Sequence, residues 1–292
     1  MHIYLKLLAV ACIWGGTFIA TRIAAQHLEP FAGAFLRFAF ASLGLVALMI
    51  LRKRPWPRPD RQGWVLHLAL ALFGIIGYNF FFFSALKVLP ASRASLLVAL
   101  NPVMVLFATA LFFGEKLRWQ QVIGGLIALF GAVLVIARGE LGALFDHFGR
   151  GEALALGCPA TWAVYTLVSR QISPEQTPLA TTALVCLLGT AGLFPLALRE
   201  GLPLASLPPE VWVALAYLGL LGTVLGFIWY TEGIRTIGTT RTAIFNNLVP
   251  VFGVLLSVLL LKERVSWEVL LGGLLVVLGV AVINVTPSGR RR

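Results

Sequence analysis

The chain has 292 residues, of which 59% are hydrophobic, 12% are charged and 29 are glycine. A soluble domain carries about 25% charged residues and a membrane-spanning helix needs about 20 apolar ones, so the composition excludes a soluble globular enzyme and leaves room for about ten spans. A net charge of +11 on a soluble protein would suggest nucleic acid, but here the basic residues sit in short loops between apolar runs, where they orient a chain in a bilayer.

Ten apolar segments can be marked in chain order. The first five cover 3–25, 31–51, 64–86, 92–113 and 119–137; the second five cover 151–169, 179–198, 211–234, 240–261 and 266–285. Barrel strands would be shorter and would alternate apolar with polar residues, so the segments read as helices. The first run is longer than the about 7–15 residues of a signal-peptide core and reads as the first span. Trp64, Trp119, Trp212 and Trp267 each open a segment and read as interfacial anchors.

The sequence repeats itself. Displaced by 148 residues without a gap, Trp14 falls on Trp162, Arg22 on Arg170, Pro30 on Pro178, Trp64 on Trp212, Gly74 on Gly222, Arg93 on Arg241, Pro102 on Pro250, Glu115 on Glu263 and Trp119 on Trp267. Each repeat holds five spans, an odd number, so the second must enter the membrane inverted. The expected fold is an all-α integral membrane protein of ten transmembrane helices, arranged as two inverted five-helix repeats around a central cavity. Residues 1–142 would form the first repeat, 149–287 the second, and 288–292 a basic tail. The loop with Arg52, Lys53, Arg54, Arg58 and Arg61 contrasts with its equivalent carrying Glu200, Gly201, Leu202, Ser206 and Pro209. That bias places both termini, with Arg290, Arg291 and Arg292, in the cytoplasm.

Inverted repeats mark secondary transporters, whose sites lie near the bilayer midplane at interrupted helices. The fourth segment contains Asn101-Pro102, and the ninth contains Asn246-Asn247 shortly before Pro250. Each proline disturbs the carbonyl four residues back, that of Val98 or Asn246. A polar ligand or a nearby amide would satisfy it; a kink that merely shapes the bundle is the alternative reading. The aromatic residues Trp14, Tyr78, Phe82, Trp162, Tyr165 and Tyr230 lie within segments, beside Asn79. Tyr and Trp that deep carry a polar handle needing a partner, and a wall of such residues suits a flat amphipathic organic solute.

Ionisable residues within segments are scarce: Arg37, His67 and Glu232. Snorkelling explains Arg37 and His67, and an ion pair with Arg235 one helical turn on explains Glu232; a charge or proton site is the functional alternative. Glu115 and Glu263 read as boundary residues. Gly124, Gly125 and Gly131, with Gly272, Gly273 and Gly279, permit close helix packing within the chain or against a second copy, as in a homodimer. Cys12, Cys158 and Cys186 read as packing residues. The histidines His2, His27, His67 and His147 are scattered, and no spacing suits a metal, a cofactor or a catalytic nucleophile. An enzyme is therefore not expected, nor an ion channel.

These features together resemble the EamA group of the drug/metabolite transporter superfamily: ten spans in two inverted halves, Trp14-Gly15-Gly16 early in the first, Asn101-Pro102 followed by Glu115, and the echo from Pro250 to Glu263. The aromatic third and eighth segments are similar to YddG-type exporters of aromatic amino acids. The resemblance implies a bacterial inner-membrane protein, a basket of helices around a cavity, and fifth and tenth spans outside the lining set. It also implies export of small organic solutes, most specifically amino acids with aromatic or large apolar side chains. The wider reading within the superfamily is a multidrug or other metabolite carrier. Trp14, Tyr78, Phe82, Trp162, Tyr165 and Tyr230 would form the wall, and Asn79, Asn101, Asn246 and Asn247 would hold the polar end of the substrate. The chain departs from symmetry at Val249, which stands where Asn101 stands in the first half.

Overall fold

A computed structural model describes residues 2–137, 148–172 and 176–285. The basic tail with Arg290, Arg291 and Arg292 lies outside the described residues, as does His147. The first half comprises α1 (His2–Ala25), α2 (Pro30–Leu51), α3 (Arg61–Leu70), α4 (Tyr78–Val88), α5 (Ala91–Val98), α6 (Asn101–Phe113) and α7 (Trp119–Ala137). The second comprises α8 (Arg150–Ser169), α9 (Pro178–Glu200), α10 (Pro209–Ala216), α11 (Gly226–Ile237), α12 (Thr239–Ile244), α13 (Val249–Leu261) and α14 (Trp267–Val285). Among the described residues no strand occurs, and every apolar segment of the sequence is helical to within a few residues.

Starts and stops follow local chemistry. Pro30 and Pro178 occupy first-turn positions, where a missing N–H costs nothing, and Asp60 accepts a bond from the Gly63 N–H to cap α3. Gly114 ends α6 at φ 61°, and 148 residues later Lys262 ends α13 at φ 55°, a left-handed position that usually favours glycine.

Among the described residues nine continuous helical stretches are long and apolar enough to cross a bilayer. The remaining long helix, α8, has 20 residues but is more polar, with Arg150, Glu152, Pro159, Thr161 and Thr166 along it. Apolar side chains point outward as they do against lipid: Leu43 is 70% exposed, Leu111 77% and Leu259 63%.

Two stretches are wound as π-helix, Ala71–Gly77 between α3 and α4 and Tyr217–Leu225 between α10 and α11. Such turns widen a helix and release carbonyls from the usual ladder. Side chains collect those carbonyls: Asn79 Nδ2 donates to the Ile75 oxygen at 2.8 Å, and Thr223 Oγ1 to that of Leu218 at 3.0 Å.

Two pairs of helices join the first part of the chain to the second. Helix α14 packs along α7, and α9 along α2. A Cβ on Gly124 would stand 2.7 Å from the Gly279 carbonyl oxygen, and one on Gly272 2.7 Å from that of Gly131. The glycines are thus used within the chain. The hydroxyls of Ser42 and Thr190, 148 residues apart, lie 2.9 Å from each other between α2 and α9.

The two ends of the bundle differ. At one end every residue of α5 is buried. There Glu263 accepts from the Ala91 and Ser92 N–H groups at 2.7 and 3.0 Å and from Ser92 Oγ at 2.7 Å. Arg93 and Glu152 form an ion pair at 2.7 Å with side chains only 8% and 6% exposed, and Glu200 receives the Phe31 and Ala32 amides. At the opposite end the ties are wet: Lys6–Glu232 and Arg170–Glu115, both 2.7 Å, with between a third and a half of each side chain exposed. Arg241, in the register of Arg93, is exposed.

Candidate substrate site

The aromatic residues fall into two groups. In the first, Tyr78 and Phe82 on α4 meet Trp162 and Tyr165 on α8. Ring centroids are 5.7 Å apart for Tyr78–Trp162, 5.7 Å for Tyr78–Phe82, and 5.0 Å for the stacked pair Trp162–Tyr165. Trp162 is 37% exposed although it sits mid-helix. Gly74 lets this group form, because a Cβ there would overlap the Tyr165 ring.

The second group joins Trp14 on α1 to Tyr230 on α11, centroids 5.1 Å apart. Trp14 Nε1 donates to the Gly222 carbonyl at 2.9 Å, inside the second π turn, and Asn246 Nδ2 donates to the Tyr230 hydroxyl at 3.0 Å. Phe18, one turn along α1 from Trp14, packs edge-on to Phe82 at 5.0 Å and bridges the groups.

The amides play unequal parts. Asn79 is 1% exposed and fixed on both sides, its Nδ2 on Ile75 and its Oδ1 accepting from Arg37 Nη1 at 2.9 Å. Asn101 begins α6 at the break after Val98; its side chain faces the Tyr78 phenol, while its buried Oδ1 has no partner. Asn247 turns the other way and accepts from Asn284 Nδ2 of α14 at 2.9 Å, which ties it to the outer pair of helices. Pro102 lies in the first turn of α6 and Pro250 in that of α13. The segments before them differ: α5 ends as α-helix, whereas Phe245–Leu248 is wound as 3-10 helix.

Each ionisable residue departs from its sequence reading. Arg37 does not reach out to an interface but bonds Asn79. His67 is fully buried, its Nδ1 2.7 Å from the Gly63 carbonyl oxygen. Glu232 pairs with Lys6 on α1 rather than with Arg235. Among the described residues no group of histidine, cysteine and carboxylate side chains could hold a metal ion.

Two participants escaped sequence reading. Phe18 looks like any apolar residue of α1, and Tyr217 gives no motif, yet its hydroxyl donates to the Ile13 carbonyl at 2.8 Å and ties the second π turn to α1. A phenol inside an apolar segment was the available signal.

The model of the EamA-like transporter family matches the chain twice, at residues 1–137 and 149–285. "Uncharacterized transporter YyaM" of Bacillus subtilis is 28% identical over 99% of this chain and 94% of its own length. An "Uncharacterized transporter" of Archaeoglobus fulgidus is 31% identical over 95% of each. The "Probable terminal-alkyne amino-acid exporter" of Streptantibioticus cattleyicolor is 26% identical over 98% of this chain and 94% of its own. One solved crystal structure aligns with a TM-score of 0.68 at 26% identity, covering 96% of both chains.

Proposed function

Because the chain belongs to the EamA-like transporter family, and so is a multi-pass membrane transporter of small solutes, we propose that it exports amino acids with aromatic or large apolar side chains across a bacterial inner membrane by alternating access. The observation that carries this reading is the group of Tyr78, Phe82, Trp162 and Tyr165, with a partly exposed indole at mid-helix and the Asn101 amide alongside. A flat organic side chain stacks on such rings, whereas a small inorganic ion would need oxygen ligands to replace its water. One relative is named as an amino-acid exporter, which favours the same substrate class.

The architecture behind the reading is ten spans in two inverted repeats. It draws support from the ungapped displacement of 148 residues, from the bonded Ser42–Thr190 pair, and from π turns at matching places in both halves. Helix α8 would be the tenth crossing, and its lower hydropathy suits a helix that turns Trp162 and Tyr165 toward a substrate rather than toward lipid. With both termini cytoplasmic, the end tied by Glu263, Glu200 and the Arg93–Glu152 pair faces outward.

The test is counterflow in liposomes carrying purified protein, run with an amino-acid panel with and without a pH gradient. Accelerated exchange of L-phenylalanine, L-tryptophan or L-leucine over empty liposomes is expected. No exchange of any amino acid sinks the substrate class, and inhibition by cationic dyes alone turns the reading to a multidrug carrier.

A further inference from the structure

Arg37 is a guanidinium within a membrane helix, and among the described residues no carboxylate pairs with it. One of its five N–H donors goes to Asn79 Oδ1 at 2.9 Å, and Nε is buried without a partner. The titratable groups near enough to act on it are a phenol and a thiol, Tyr78 and Cys186. A charge at this depth is expensive and persists where something anionic meets it; a guanidinium fork suits a carboxylate in two-point contact. The Tyr78 phenol also meets the opposite chemistry. The Asn101 amide faces the Tyr78 phenol and leaves its buried Oδ1 unpartnered, a bare acceptor next to aromatic faces. Such an acceptor beside the Tyr78 and Trp162 rings suits an ammonium group.

We propose that Arg37 takes the carboxylate and Asn101 the ammonium of one zwitterionic substrate, with Tyr78 between them and the side chain lying against Trp162 and Tyr165. This rests on the amino-acid reading above and adds a polarity to it: the head group is held by α2 and α6, and the side chain by α4 and α8. Asn79 is the positioning residue, because its bond to the Ile75 carbonyl in the π turn aims its oxygen at Arg37.

Three probes separate the parts: L-phenylalanine, 2-phenylethylamine, which lacks the carboxylate, and 3-phenylpropionate, which lacks the ammonium. Counterflow would be measured with full-length wild-type protein and with the Arg37→Gln and Arg37→Lys variants. Wild type should carry L-phenylalanine at least about tenfold faster than either analogue, the factor that one lost charged contact implies. Arg37→Gln should abolish that advantage over 2-phenylethylamine, and Arg37→Lys should restore part of it. Equal wild-type rates for L-phenylalanine and 2-phenylethylamine overturn the Arg37 assignment without any variant, so a variant that fails to fold leaves the test intact. Equal rates for L-phenylalanine and 3-phenylpropionate overturn the Asn101 assignment. If wild type carries none of the three while other solutes pass, the amino-acid reading itself has failed.

Discussion

Trp162 and Asn101 flank Tyr78, yet their removal should have different consequences. Trp162 stacks on Tyr165 at 5.0 Å and keeps more than a third of its surface open. Trp162→Ala therefore removes a face on which a ring can lie while leaving the bundle's core in place. Its KM for L-phenylalanine should rise about two- to tenfold, since an aromatic pair contributes about 0.5–1.5 kcal/mol beyond its buried area, whereas alanine or glycine should be affected little. An equal effect on large and small amino acids would mark Trp162 as a packing residue. Asn101→Ala deletes an amide oxygen that bonds nothing within the chain. The amide nitrogen bonds the Tyr78 phenol, so melting should fall by about 2–4 °C, as expected for one lost hydrogen bond worth about 1 kcal/mol, while exchange of L-phenylalanine should fall about tenfold. Normal exchange in this variant would leave the break before α6 as a kink alone.

At the scale of elements, a second prediction concerns the outer helices. The α7–α14 contact depends on backbone meeting backbone at Gly124–Gly279 and Gly131–Gly272. With no hydrophobic drive between helices in lipid, close approach supplies the attraction. Gly279→Leu should overfill this seam and cost about 1–3 kcal/mol, read as a lower melting temperature in detergent. Gly157→Leu would be a poor control, since a Cβ there meets the Phe81 ring; Leu278→Ala, at a residue 50% exposed, should change little. Unchanged melting of Gly279→Leu would mean that the helices can separate freely. The glycine seam was legible because seven-residue spacing of small residues has one physical use, and the helix limits were legible because prolines and tryptophans mark them. The π turns were not: the sequences over 71–77 and 217–225 keep an apolar pattern that fits a regular helix equally well. Nor was the role of Asn247, whose partner Asn284 lies on another helix, or that of Lys6, which reaches Glu232 across 226 residues of chain. Local spacing announces a helix face but not what faces it. Aromatic and amide residue types showed where a site should form, and packing alone decided that Tyr78 would sit with Trp162 rather than with Trp14.

At the scale of the molecule, one end is tied together by carboxylates of the second half bound to the first. Glu263 accepts two backbone amides and a hydroxyl at the start of α5, where the helix dipole favours negative charge. Glu115, 148 residues earlier in the chain, lies at the other end and pairs with Arg170 instead. If access alternates, the bonds of Glu263 exist only while its end is shut, so weakening them shifts the population rather than the fold. Glu263→Gln keeps the shape but loses the charge and one acceptor, a loss of about 1 kcal/mol by comparison with other helix caps. The open population at that end should rise about fivefold. A reporter is at hand in Ser95, 1% exposed and pressed against Gly253 of α13. In a background with Cys12, Cys158 and Cys186 replaced, Ser95→Cys should react slowly with a membrane-impermeant maleimide added at that end. Adding Glu263→Gln should speed that reaction severalfold at unchanged melting temperature, and a transported substrate should alter the rate in both proteins. If labelling is as slow after Glu263→Gln as before it, the carboxylate is a static cap. The shut end must then be held by the buried Arg93–Glu152 pair, whose separation is the costlier step because each half would be left as a lone charge in a dry place.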